Sequence, residues 1–249
     1  MTRTKAFAIH LTLSAMIASA VAALMFLFWY TPAFFSAAGG KNLLMLILGV
    51  DVTLGPLITL IIFNTKKSRK MLAFDFLIIA ILQISALLYG TNIMFHSRPV
   101  FIAFMQDTFA VATADMVLDL NLEKSRNAEF KSLPLTGPVY VYAEMPSDAK
   151  EKNEVELASA FGMGLQCFPQ YFKPYAEKMQ LAGQAAKPLS ALRKLNEANV
   201  TEIEHAILSS GRVEADLGFL PLQGVGVNMA VLLGKRDGKV LDILNLNPY

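Results

Sequence analysis

Cysteine is almost missing: Cys167 is the one thiol in 249 residues. An intramolecular disulfide and a four-thiolate metal site are therefore excluded. Histidine is nearly as scarce, and none of His10, His96 and His205 stands at metal-ligand spacing from another His or from the Cys. The sequence has no HExxH, no phosphate-binding GxxxxGK and no nucleophile elbow. These absences leave no catalytic residue, cofactor site or metal site to name. Cys167 with His205 as base is the only nucleophile pair on offer, and a lone Cys in a globular domain is ordinarily a small core residue.

Charge is missing in three long stretches. Residues 6–40 hold no Lys, Arg, Asp or Glu, residues 42–65 hold only Asp51, and residues 71–97 hold only Asp75. From Arg98 onward charge returns at ordinary density. With 54% hydrophobic residues and a mean hydropathy of +0.45, the chain is too apolar for an ordinary soluble protein. The distribution predicts a membrane anchor over residues 1–95, with spans at about 6–30, 43–63 and 71–90, and a globular domain over residues 96–249. A cleaved signal peptide is the alternative for the first run. Its continuation to Trp29 and Tyr30, rings suited to a membrane–water interface, favours an uncleaved helix. The net charge is +5 before residue 91 and −3 from there on. A mildly acidic globular part argues against nucleic acid as a partner.

The two basic segments, Arg3 with Lys5 and Lys66–Lys67 with Arg69–Lys70, fall on one side of a three-span anchor, and only Lys41 falls on the other. The excess of basic residues on the inner side puts the N-terminus inside and the residues after the third span outside.

The chain is organised around residues 43–63, LLMLILGVDVTLGPLITLIIF. Counted from Asn42 at ~1.5 Å per residue, Asp51 lies about 13 Å along the helix, near the middle of a bilayer. A carboxylate there needs a partner or must change protonation state. Pro56 removes a backbone donor and tends to kink the helix. Gly55 lets another helix approach closely. One reading of Asp51 is internal, a bond to Gln83 of the third span or to backbone freed by Pro56. The other is contact with a partner's transmembrane segment. Asp75, one turn from the basic loop, is expected to sit near Lys70.

In the globular part, residues 100–105 and 109–113 read as strands, as do 139–142, 225–233 and 240–246. Residues 116–130, 147–161, 190–196 and 201–209 read as helices, the second of these starting at Ser147 and Asp148 and the last capped by Thr201 with Glu204. Asp237–Gly238 between two β-rich runs is a hairpin signal. The fold expected is α+β with an antiparallel sheet. The aromatic loop Phe168, Tyr171, Phe172 and Tyr175 is either a packed loop or a ligand surface. Gly162 and Gly164 read as a helix end. Arg98 is expected to reach headgroups or to pair with Asp107, with contact to a partner as the alternative.

Several segments, taken in order, resemble the type IV pilin accessory proteins, the TfpX/TfpZ group. They are Phe28–Trp29–Tyr30 with Pro32, Phe34 and Phe35; Gly39–Gly40; Val50–Asp51 with Leu54–Gly55–Pro56–Leu57; Lys66–Lys67–Ser68; Tyr89–Gly90; Ser97–Arg98–Pro99–Val100; Asp107; and Ser132–Leu133–Pro134–Leu135 with Gly137–Pro138. Ser97 stands where the resemblance leads one to expect Ala, and Thr108 where it leads one to expect Arg. The resemblance implies a bacterial inner-membrane protein with a periplasmic domain. It also implies a non-enzymatic helper of pilus assembly, a pilin-specific chaperone or assembly factor. The partners it implies are the major pilin, through helix and head, and the pilus assembly platform. Asp51, Gly55, Pro56, Gln83, Arg98 and Asp107 are the residues expected to meet a partner. The competing reading is a membrane-anchored periplasmic ligand-binding or sensor protein; a membrane-surface enzyme is a third, with no constellation behind it.

Overall fold

The computed structural model describes residues 2–64 and 67–249, and for Pro32, Ala33, Asn42 and Leu46 the backbone alone. Lys66 of the basic loop thus lies outside the described residues. The chain divides into two compact units. One comprises residues 1–29 and 40–96, the other residues 30–39 and 97–249.

The first unit is helical. Helix α1 (Arg3–Leu24) starts at Thr2, whose hydroxyl accepts the Lys5 N–H, and runs on as a π-helical turn over Met25–Trp29. After α2 (Pro32–Ala37), which belongs to the second unit, come α3 (Gly40–Leu48), a second π-helical turn over Gly49–Leu54, and α4 (Gly55–Ile62). Helix α5 (Arg69–His96) completes the set and runs beyond the expected residue 90. Among the described residues, three helices are long and apolar enough to cross a membrane: Arg3–Trp29, Leu43–Ile62 and Arg69–His96. Leu27, Ile61, Leu82 and Leu88 are among the apolar side chains exposed on them, as expected of faces solvated by lipid rather than water. Asp75 pairs with Lys67, at 2.6 Å, instead of Lys70.

The second unit is built on seven strands: β1 (Pro99–Met105), β2 (Thr108–Thr113), β3 (Val139–Ala143), β4 (Phe172–Pro174), β5 (Leu217–Gln223), β6 (Met229–Gly234) and β7 (Val240–Leu244). Their order is β4-β3-β1-β2-β5-β6-β7. The sheet is mixed, which corrects the antiparallel expectation. β3 joins β1 in parallel and β5 joins β2 in parallel, because each arrives after a crossover rather than a hairpin. Both faces are covered. Phe101 and Ala103 of β1 face a cluster with Phe130, Val155, Cys167 and Phe172, while Ile102 and Phe104 face Phe109, Leu220, Val231 and Phe34. Two buried faces explain why β1 reads as a continuous apolar run rather than an alternating one.

The helices of this unit are α6 (Asp119–Glu123), α7 (Ala149–Ala160), α8 (Met179–Ala185), α9 (Leu189–Leu195) and α10 (Val200–Ser210). The helix expected over 116–130 is reduced to short α6 flanked by 3-10 turns. Asp148 caps α7 through the N–H groups of Lys150 and Glu151. Helix α10 begins at Val200 behind Asn199, not at Thr201, and Glu204 is drawn away to Arg193.

Residues 30–39 are part of this unit. Phe34 and Ala37 are buried in the sheet's core, and the Ala37 carbonyl accepts from Val225 N–H at 2.7 Å and Gly226 N–H at 3.2 Å. The strand expected over 225–233 therefore starts only at Met229; its first residues tie down this strap instead.

Candidate functional site

His10 of the first long helix, Asp51 and Thr59 of the second and Gln83 of the third meet in one network. Regular i→i−4 bonding gives way there to a π turn, in which Gly55 N–H donates to Val50 O, five residues back. The next bond in that register would run from residue 56 to the carbonyl of Asp51, but Pro56 has no N–H. That freed carbonyl accepts from Gln83 Nε2 of α5, at 3.1 Å. Gln83 can come this close because residue 55 is glycine: a Cβ there would stand 2.0 Å from Gln83 Nε2. Pro56 and Gly55 thus act together, one vacating an acceptor and the other admitting its donor. The chain stays helical through Pro56, which sits in the first turn of α4.

The network continues into α1. Gln83 Oε1 lies 2.6 Å from His10 Nε2, and His10 Nδ1 lies 2.6 Å from Thr59 Oγ1. With a proton on Nε2 donated to Gln83 Oε1 and the Thr59 hydroxyl donating to Nδ1, all three groups are satisfied. His10 and Thr59 were not singled out as site residues from the sequence. The signal was present, since an imidazole inside an apolar span is itself an anomaly; metal-ligand spacing was the wrong test for it.

Asp51 is 7% exposed, and neither carboxylate oxygen has a hydrogen-bond partner among the described residues. Asp51 is among the residues bordering a cleft of about 390 Å³ between α1 and α5. The walls are Ile9, Leu13 and Ile17 on one side and Phe76, Ala80 and Ile84 on the other; His10, Ser14, Gln83 and Asp51 bring the polar atoms. The middle span contributes Asp51 to the lining. Of the expected contact residues, Asp51, Gly55, Pro56 and Gln83 are therefore brought together.

Arg98 and Asp107 are not part of that group. They lie at opposite ends of β1. Arg98 is buried, and its guanidinium donates from Nε and Nη2 to Pro134 O, both at 3.3 Å. Burial pushes its pKa down, partly offset by Tyr30. A buried guanidinium does not reach headgroups. Asp107 is exposed in the β1–β2 turn and accepts from the Thr108 hydroxyl, with the seven-residue strand separating it from Arg98.

The aromatic loop is packed. Phe172 lies edge-on to Phe101 and Phe130, whereas Tyr175 sits on the other sheet face and its hydroxyl donates to Gly238 O at 2.6 Å. Cys167 is 1% exposed, and burial pushes its thiol up to about 12, with Asp115 adding to the shift. Such a thiol is no nucleophile at neutral pH. Beside β4 runs a broad, open and charged groove of about 1430 Å³, bordered by Lys124, Arg126, Glu144, Glu151, Glu154 and Lys173. Among the described residues, no group of three or more His, Cys, Asp or Glu side chains is arranged to hold a metal ion.

Residues 1–36, which include α1 with His10 and Ser14, match the family model of the fimbrial assembly protein FimB. The chain is 31% identical over 216 residues to the fimbrial assembly protein of serogroup E1 from Dichelobacter nodosus, covering 86% of this chain and 83% of that protein. The serogroup I protein of the same organism gives the same identity and coverage. The protein of serogroups C1 and C2 is 37% identical over 112 residues, 45% of this chain and 86% of that one. No solved structure matches the chain. The chain belongs to the fimbrial assembly proteins, a family of type IV pilus accessory proteins.

Proposed function

We propose that the protein is an inner-membrane accessory factor of type IV pilus biogenesis that binds pilin and performs no chemistry on it. The cleft between α1 and α5 receives the apolar helix of a pilin subunit waiting in the membrane, and the α+β unit meets its head. The N-terminus is cytoplasmic and the sheet unit periplasmic, in keeping with the basic residues at 3, 5, 67, 69 and 70. The observation that carries this reading is the cleft itself. It is apolar along its walls, and Asp51 at its border carries a buried carboxylate without a hydrogen-bond partner among the described residues. A helper for a membrane-held subunit needs a membrane surface of this kind, and the family supplies the process.

The test is co-purification of the major pilin with tagged full-length protein from detergent-solubilised membranes, wild type against Ala80→Trp. Ala80 lines the cleft, so an indole there occupies the space a partner helix would take. Pilin is expected with the wild type and reduced at least about tenfold with the variant, the loss of a packed interface worth ~1.4 kcal/mol or more. Equal recovery of pilin with both proteins contradicts the role of the cleft, and no pilin with either contradicts direct binding.

A further inference from the structure

Resting on that reading, we infer that the cleft selects a transmembrane helix carrying one hydrogen-bond donor at mid-membrane depth, delivered onto the side chain of Asp51. The other groups of the network are engaged. Both ring nitrogens of His10 are taken by Thr59 and Gln83, and the Gln83 amide is shared between His10 and the Asp51 carbonyl. The two carboxylate oxygens of Asp51 are the buried side-chain polar atoms of the helical unit left over among the described residues, on a residue more than nine-tenths buried that borders the cleft. In hydrocarbon an unsatisfied polar atom is costly, so the site is complete only when an occupant supplies the missing bond.

Asp51 can accept in either protonation state, although a protonated carboxyl also donates its O–H. A carboxylate accepts through both oxygens, and a protonated carboxyl still accepts through its carbonyl oxygen. A donor on the occupant suits both forms. The source must be a helix rather than a lipid tail. An acyl chain fills an apolar cleft equally well but brings no polar atom to the depth of Asp51. A helix brings a side chain there while its own backbone stays satisfied. Small residues lining the cleft, Ser14 and Ala80, leave room for that side chain.

The experiment uses the full-length protein in phosphatidylethanolamine–phosphatidylglycerol vesicles, with labelled 23-residue Leu/Ala transmembrane peptides whose central residue is Leu, Asn or Lys. Energy transfer is read at peptide-to-lipid ratios where each peptide alone gives none. The Asn and Lys peptides are expected to bind about three- to thirtyfold more tightly than the Leu peptide. The preference is expected to disappear when the donor is moved six residues toward either end, and with Asp51→Leu. Equal affinity of all three peptides for the wild type overturns the inference. So does a preference that survives both the shifted donor and Asp51→Leu. No binding of any peptide also overturns it and leaves a lipid tail as the occupant. Because the wild-type comparison stands alone, a misfolded Asp51→Leu does not blunt the test. A cleft that captures pilin without donor preference defeats this inference and spares the proposed function.

Discussion

At Gly55 a single hydrogen atom decides whether the intramembrane network can form. A methyl group would stand 2.0 Å from Gln83 Nε2, so Gly55→Ala forces the amide off both the Asp51 carbonyl and His10. The expected loss is about 1–3 kcal/mol of stability, read as a fall of several degrees in thermal unfolding in detergent. Gln83→Ala removes the group that the new methyl would strike. The two changes together are therefore expected to cost less than their sum, and strict additivity contradicts the contact. Cys167 yields a second expectation at this scale. Held at 1% exposure with its thiol raised to about 12, it is expected to resist maleimide in the native protein at pH 8 and to react fully on unfolding. Native labelling at the unfolded rate contradicts the burial.

The same thiol fixes a sign for alkaline pH. An acid whose folded pKa is raised, here from 9.0 to about 12, contributes stability that is intact below its ordinary pKa. That contribution is lost as pH climbs toward the folded value. Tyr140, raised by burial from 10.0 to about 12, acts in the same direction. Stability is expected to be level up to about pH 9 and then to fall by up to ~1.4 kcal/mol per pH unit for each such group. Urea unfolding between pH 8 and 11.5 measures this, and stability unchanged or rising above pH 10 contradicts it. At residue scale the sequence exposed what was chemically odd in an apolar run: Asp51, Gly55, Pro56 and Gln83. It did not disclose that Gln83 takes the backbone carbonyl of Asp51 and leaves the carboxylate unpaired, because that depends on a π register no composition signals.

Among the elements, the strap Tyr30–Gly39 shows what apolar composition leaves open. Its phenylalanines look like anchors at a bilayer surface, yet Phe34 is buried among residues of β2, β5 and β6. Hydrophobicity alone cannot tell lipid from protein core as the destination. Gly224 holds the strap's docking site open, since a Cβ there would meet Val227 O at 2.2 Å and Ala37 O at 2.7 Å. Backbone atoms on both sides cannot swing away. Gly224→Ala is therefore expected to speed amide exchange at Val225, whose N–H bonds Ala37 O, by at least about tenfold, a local opening cheaper by ~1.4 kcal/mol. Unchanged exchange contradicts the strap's dependence on that contact.

Strand β5 was hidden for a related reason. Gly218 and Pro221 both demote a strand pattern. Pro221 is tolerated because pairing with β2 begins only at Leu222, and on that edge Phe219 bonds instead to Lys187. Gly218 lets the Ala186–Lys187 segment pass close by. Hairpins were easier to read: β1–β2 and β6–β7 appear where closely spaced β-rich runs and the Asp237–Gly238 turn put them. The crossovers that make the sheet mixed are non-local and left no local mark.

For the whole molecule, the uneven distribution of charge was the most informative feature. It marks three apolar helices and a charged sheet unit without any motif, and the fimbrial assembly relatives supply the process that such an architecture serves. The central claim, that the cleft between α1 and α5 holds the pilin helix, is tested most directly by photo-crosslinking in living cells. A photoreactive amino acid is placed at Leu13 or Ile84 on the cleft walls, or at Ile61, which is 76% exposed and does not line the cleft. The account expects pilin adducts through its apolar helix from positions 13 and 84 and at least about tenfold fewer from position 61. Adducts of equal yield from all three positions, or pilin crosslinked from 61 alone, would contradict it.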